Sequence, residues 1–300
     1  MSSPFCIPLP EADLRGMNLS TFLPSPSLQP YIESYSMMDM NWATPQSLSR
    51  KWRLIPFGKP SILILFGDPH QYRIGSSNAP ASLTEKAFIV GQLKVPVWLE
   101  FSGHTKMLKV QFKPAGLRQF VKQDISEFTN KVCIDLHSVF GYAADFLYEQ
   151  LQEYPELTGE ILNSFFEKRM LPRLHQTDYI NYAIEQFELS MGNLTITDLG
   201  NKLHISERHL ERIFKKQVGL TPNEYRKLIR LNQAFGYLDK YPGTSFTNLS
   251  HTIGYYDQAH FAHDFKQFAG SKPSQLRSLT AEELFVTNGN CFNRNYLIAG

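Results

Sequence analysis

The chain contains one unit written twice. Leu210-Glu211-Arg212-Ile213-Phe214-Lys215 aligns with Phe261-Ala262-His263-Asp264-Phe265-Lys266 at an offset of 51 residues. The match runs outward, with His209 answering to His260, Gly219 to Gly270, Pro222 to Pro273 and Arg226 to Arg277. Upstream, Leu199 answers to Leu249 at an offset of 50, so the second copy carries one extra residue in its turn. A repeat inside an otherwise non-repetitive chain is a strong organisational signal.

Each copy reads as helix, tight turn, helix. In the first, Ile196, Leu199 and Leu203 form a helical stripe, and His204-Ile205 makes the turn. Ser206 stands at the N-cap of the next helix, where its oxygen can accept from a free backbone N–H. Leu210, Ile213 and Phe214 then face inward, with Arg208, Glu211, Arg212 and Lys215 on the opposite face. In the second copy Leu249 and Ile253 form the stripe, Gly254-Tyr255-Tyr256 the turn and Asp257 the cap. Phe261, Phe265 and Phe268 go inward, and Gln258, Ala259, Ala262, His263 and Lys266 go outward. This is the helix-turn-helix pattern, whose second helix lies in the DNA major groove.

Between the copies the sequence predicts one long helix, roughly 222–241, opened by Pro222. About 19 residues at ~1.5 Å each span ~28 Å, against ~34 Å for a turn of B-DNA. Such a linker can set two recognition helices into successive major grooves on one face of the duplex.

These residues resemble the AraC/XylS-type DNA-binding domain of bacterial transcription regulators. The resemblance rests on residues 205–216, on Gly219-Leu220-Thr221-Pro222 with Tyr225, and on Ile253–Phe261 with Phe265-Lys266, Gly270 and Pro273. It covers about a third of the chain. It implies base-reading positions at Arg208, Glu211 and Arg212 in the first recognition helix and Gln258, Ala259, Ala262 and His263 in the second.

The 300 residues are 42% hydrophobic and leave room for two domains. Charge is uneven but modestly so. Residues 173–280 hold 13 Lys/Arg against 10 Asp/Glu, whereas residues 1–172 hold 16 of each. That balance permits DNA binding without arguing for it. Cys6, Cys133 and Cys291 have no metal or redox spacing, as expected in a reducing cytoplasm. The longest apolar run, Ile62–Phe66, is far short of a membrane span, and the N-terminus reads as neither signal peptide nor lipidation motif.

The N-terminal half has a different texture. Residues 1–30 read as an irregular, proline-interrupted lead-in. Short β-like runs follow at 31–40, 52–56, 61–66, 71–74, 87–91, 96–101 and 107–112, punctuated by turn signals at Gly67-Asp68-Pro69 and Ser102-Gly103. Such spacing suggests a barrel or a sandwich. Here the chain resembles the cupin-like N-terminal domain attached to many AraC-type regulators. The resemblance rests on Pro30-Tyr31-Ile32-Glu33-Ser34-Tyr35, Val90-Gly91-Gln92 and Val110–Gly116. It implies a small β-barrel with room for a ligand.

The expected fold class is therefore α+β in two domains. A cupin-like regulatory or sensor β domain covers 1–115. Helices follow at 116–173, packing either on the barrel or as a pair at a homodimer interface. An all-α DNA-binding domain covers 174–280, with helix-turn-helix units at about 195–217 and 245–269 joined by the long linker helix. Tyr179, Ala183 and Phe187 mark its first helix. A tail at 281–300 has no assigned role.

Several residue types carry the expected chemistry. Arginine donates two parallel hydrogen bonds to guanine, glutamate accepts from cytosine, and alanine offers apolar contact to a thymine methyl. Arg208 and Arg212, four apart, equally suit a solvated basic face with local pairs to Glu207 and Glu211. Ser206, Lys215, Lys216, Asp257, His260 and Lys266 are the phosphate-contact candidates, which anchor without reading sequence. In the barrel, Trp42, Trp52, Phe57, Tyr72 and Trp98 suit an apolar pocket or the core equally. His260 and His263 lack a third ligand, and His70, His104 and His137 stand alone, so no metal is expected. No phosphate loop or nucleophile elbow is present, and neither a cofactor nor a catalytic residue is expected. The reading is a cytoplasmic, sequence-specific regulator with double-stranded DNA as partner and no membrane role. A small molecule can act on the N-terminal domain, and RNA polymerase is a partner only if the protein activates. The alternative is a small-molecule-binding or metal-dependent barrel enzyme fused to a DNA-binding module.

Overall fold

The computed structural model describes residues 6–7, 17–41, 51–75, 80–172, 176–241 and 243–276. Eleven strands come first among them: β1 (Cys6–Ile7), β2 (Met17–Phe22), β3 (Ile32–Asn41), β4 (Lys51–Leu54), β5 (Ser61–Leu65), β6 (His70–Ile74), β7 (Ala81–Leu83), β8 (Ala87–Val90), β9 (Val97–Glu100), β10 (His104–Phe112) and β11 (Ile134–Asp135). They form two antiparallel sheets, one ordered β1-β2-β3-β10-β5-β8-β11 and the other β4-β9-β6-β7.

Side chains alternate across a strand, so the large sheet has two jobs. On one face Met38, Met40, Leu63, Leu65, Phe88 and Met107 meet Val97, Leu99 and Leu83 of the small sheet. On the other, Tyr35, Ile62, Ile64, Leu108, Val110 and Phe112 meet the following helices. Burial on both faces explains why β5 is buried at every position and reads as an unbroken apolar run. Those helices are α1 (Leu136–Phe140), α2 (Tyr142–Glu153) and α3 (Thr158–Glu167), which bring Leu147, Leu151, Leu162, Phe165 and Phe166 onto the sheet. Tyr142 and Phe146 of α2 remain exposed.

The described part of the lead-in contains a strand that its prolines do not suggest. β2 pairs with β3 from Met17↔Met40 to Phe22↔Tyr35, since the prolines at 24, 26 and 30 fall just after it, in a turn. β7 and β11, at three and two residues, were too short to carry an alternating pattern.

The C-terminal region is helical: α4 (Gln176–Leu189), α5 (Ile196–Leu203), α6 (Glu207–Val218), α7 (Pro222–Lys240), α8 (Phe246–Thr252), α9 (Gln258–Ala269) and α10 (Pro273–Leu276). Its core collects Leu199, Leu210, Ile213, Phe214, Leu228, Leu249, Phe261, Phe265 and Phe268. On α4, Ala183 and Phe187 of the expected stripe are buried together with Ile180 and Ile184, while Tyr179 is 45% exposed. Phenol rings tolerate water at their polar end, so Tyr179 could not be told from a core aromatic by spacing alone. Ile55 and Ala115 of the β region belong to this same core cluster, so the two regions pack directly. The linker helix α7 has 19 residues. Thr221 caps it, with Glu224 completing a reciprocal capping box and Pro222 at its first position.

Candidate nucleic-acid interface

The two copies fold as the same machine, contact by contact. Thr195 caps α5 through the Asp198 N–H, and Ser245 caps α8 through the Asn248 N–H. Ser206 caps α6 through the His209 N–H at 3.3 Å, and Asp257 caps α9 through the His260 N–H at 2.7 Å. Thr197 donates to Glu207 at 2.5 Å, and Thr247 donates to Gln258 at 2.8 Å, tying each recognition helix to the helix before it. Gly219 and Gly270 end the recognition helices at φ +88° and +75°, where an L side chain would be strained. Each helix thus has its ends fixed by its own sequence, and its outward face is left over for a partner.

Arg208, Glu211 and Arg212 are all exposed on α6, as are Lys215 and Lys216. Leu210, Ile213 and Phe214 underneath are fully buried. Arg212 lies 3.3 Å from the His209 ring nitrogen, Nη2 to Nδ1. Neither Arg208 nor Glu211 has an ion-pair partner among the described residues, so the alternative of local pairs on that face is not seen for them. Lys216 reaches Asp124 of the β region at 3.3 Å. On α9, Gln258, Ala259, His260, His263 and Lys266 are exposed and Ala262 is half-buried. Ser206 and Asp257 spend their oxygens on caps, and Gln258 accepts from Thr247.

Asp264 is a functional-region residue that the apolar stripes did not reveal. It is 1% exposed, at the position where the first copy has Ile213. Lys227 of α7 pairs with its Oδ1 at 2.9 Å, and the Tyr255 hydroxyl donates to its Oδ2 at 3.2 Å. His260 Nε2 and His263 Nδ1 each stand 3.6 Å from it. Arg230 lies over the Tyr255 ring at 4.5 Å. Burial, then the Asp264 charge, raises the Tyr255 hydroxyl well above its ordinary value. The signal was present in the repeat alignment, as a carboxylate opposite a core isoleucine.

Of the aromatic pocket candidates, Phe57, Tyr72 and Trp98 have described side chains, and each has a different setting. Trp42 lies outside the described residues, as do the side chain of Trp52 and the tail at 281–300. Trp98 stacks under the Arg53 guanidinium at 4.1 Å. Phe57 faces the Lys109 ammonium at 5.3 Å, whereas Tyr72 packs on the core between the sheets. A separate cleft of about 750 Å³ opens between the regions. Tyr31, Lys113, Arg118 and Lys122 line one wall, and Tyr182 and Glu185 of α4 line the other. Among the described residues no three His, Cys, Asp or Glu side chains are grouped to hold a metal, and no helix is long and apolar enough to cross a membrane.

Residues 199–278 match the model of a helix-turn-helix domain family, and residues 20–134 match that of a domain of unknown function (DUF6597). The Msm operon regulatory protein of Streptococcus mutans is 27% identical over 124 residues, 39% of this chain and 44% of that protein. The transcriptional activator RhrA of Rhizobium meliloti is 26% identical over 182 residues, 56% of each chain. A solved structure of a probable AraC family transcriptional regulator from Rhodopseudomonas palustris is 27% identical, covers 34% of this chain and 95% of that one, and superposes with a TM-score of 0.31. The chain spans about half the length of the curated relatives it matches.

Proposed function

We propose that this chain, whose C-terminal region carries a helix-turn-helix domain of the AraC type, is a sequence-specific regulator of transcription in the cytoplasm. The observation that carries the reading is the pair of repeat-related, doubly capped helices α6 and α9, each with an exposed outward face, joined by the 19-residue α7. Arg208 and Arg212 read guanine, and Glu211 accepts from cytosine or orients its neighbours. Lys215 and Lys266 hold phosphates, as does Lys216 where it leaves Asp124. On α9, His263 and Gln258 are the polar readers, and Ala259 and Ala262 offer apolar contact alone. This half anchors more than it reads. Asp257 carries the wrong charge for a phosphate and serves the cap.

The N-terminal domain is the regulatory half. A small molecule in the cleft of about 750 Å³ would touch both regions at once, and so favour one docking geometry over another. The exposed Tyr142 and Phe146 of α2 suit a homodimer contact.

Selection of random duplexes with the full chain tests the reading. Recovered DNA is expected to contain two conserved blocks about one helical turn apart. Recovery of unrelated sequences would overturn it.

A further inference from the structure

Gly219 and Gly270 are equivalent positions in the repeat, and the β region touches both. A Cβ at Gly219 would stand 3.2 Å from Cγ of Gln92 and 3.1 Å from Ile125. At Gly270 it would stand 2.8 Å from Cγ of Pro96. The carbonyls at these helix ends are also claimed from the same side. Thr129 Oγ1 donates to the Gly219 carbonyl at 2.6 Å, and Arg53 Nη1 donates to the Ala269 carbonyl at 3.2 Å and to Ser271 Oγ at 2.8 Å. Donors at a helix C-terminus meet its negative end, so both contacts are electrostatically favourable.

Both glycines therefore abut the two ends of one five-residue loop, Gln92–Pro96. Its middle residue, Lys94, pairs with Glu224 in the first turn of α7 at 2.7 Å. Burial alone would raise the Glu224 carboxyl, but the Lys94 ammonium and the Thr221 contacts outweigh it and hold it below the usual range. The loop is itself pinned to the rest of the β region. The Asn130 N–H donates to the Gln92 carbonyl at 2.7 Å, the Lys94 N–H to Asn130 Oδ1 at 2.8 Å, and the Gly75 N–H to the Pro96 carbonyl at 2.8 Å. Gln92 Nε2 donates to the Gly58 and Pro114 carbonyls at 3.0 and 3.3 Å.

We propose that the Gln92–Pro96 loop is a specificity-determining strap. It sets the distance between the two recognition helices, and so the spacing of DNA blocks the chain accepts. The proposal rests on the DNA-binding reading above. Both units share one hydrophobic core with α7, and a tie to one unit alone would leave their separation to that core. Docking on both equivalent caps fixes the pair. Five residues reach at most ~14 Å between first and last Cα, so the strap limits how far apart the two caps can stand. Loosening it lets the separation grow. Any change in the two sheets that moves this loop moves both reading helices together.

The test uses the full chain and a duplex recovered by selection, rebuilt with its two blocks moved apart or together one base pair at a time. Wild type is expected to show one sharp optimum. The triple variant Lys94→Ala, Pro96→Gly, Thr129→Val should tolerate one or two added base pairs, with at least a five-fold gain relative to its own binding at the optimum. Thr129→Val alone, which removes a single hydrogen bond, should show a smaller broadening and covers the case in which the triple variant fails to fold. Hydrogen exchange at the C-terminal turns of α6 and α9 reads the release directly. Variant profiles that superimpose on wild type, caps that stay equally protected, or a flat wild-type profile would each overturn the strap while leaving DNA binding intact. A wild type that selects no duplex would overturn the DNA-binding reading itself.

Discussion

The Lys227 ammonium stands 2.9 Å from the Asp264 carboxylate, joining the linker helix α7 to the core of the second recognition helix. The carboxylate is 1% exposed and its second oxygen accepts from Tyr255. In the first unit the same core position is Ile213, and α7 is held instead by Tyr225, whose hydroxyl donates to Glu188 of α4 at 2.8 Å. One helix is thus gripped by polar bonds toward α4 on one side and the second unit on the other.

Removing the carboxylate leaves a cation and a hydroxyl without their partner. Asp264→Ala is expected to cost ~3–5 kcal/mol and to loosen α8 and α9 before α5 and α6. Hydrogen exchange resolved by segment checks it. Uniform loosening of both units would show that the pair holds the domain as a whole rather than its second half.

Arginine at the centre of α6 is expected to read bases and lysine near its end to hold phosphate. Arg212→Ala should cost ~1–3 kcal/mol on the selected duplex and little on scrambled DNA. Lys215→Ala should weaken both alike and lower the slope of log K against log salt by about one. Fluorescence anisotropy titrations on the two duplexes at several salt concentrations separate these outcomes, and equal losses for Arg212→Ala would reassign it to the backbone.

The caps carry stability rather than recognition. Ser206→Ala and Asp257→Ala should each lose ~1 kcal/mol, whereas Ser206→Asp should keep the cap and most of the stability. Urea midpoints measure this. A Ser206→Ala protein as stable as wild type but weaker on DNA would instead give that hydroxyl a phosphate.

His70 supplies a pH dependence. It is 2% exposed between the sheets, 3.2 Å from Thr105 Oγ1 and edge-on to Phe101. Burial lowers its pKa to about 4, against an opposing pull from Asp68. The unfolded chain binds this proton below about pH 6.5 and the folded chain does not, so stability should fall as pH drops from 6.5 toward 4 and then level. At pH 5 the loss amounts to about 2 kcal/mol. His70→Gln should lose less over the same interval, and parallel curves for the two proteins would remove His70 as the cause.

The helix-turn-helix units were legible because their determinants are local. Caps at Ser206 and Asp257, αL glycines at 219 and 270 and stripes at three and four residues all act within a dozen positions, and duplication states them twice. Strands pair with distant partners, so nothing local marks β2 apart from its ladder with β3, and the exposure of Tyr179 is hidden because an exposed phenol and a buried one have the same periodicity. Asp264 was visible as an odd letter in the repeat, but its burial depends on Lys227 arriving from another helix.

By itself the sequence determined the helices α6 and α9, their ends and their outward charges, because each is written in contiguous residues whose backbone conformations are short-range. Only the tertiary structure decided what lies behind them. Gln92 and Pro96 meet glycines more than a hundred residues away, and Thr129 meets a carbonyl 90 residues on. No periodicity encodes such contacts, because they depend on how two separately patterned surfaces come to rest against each other.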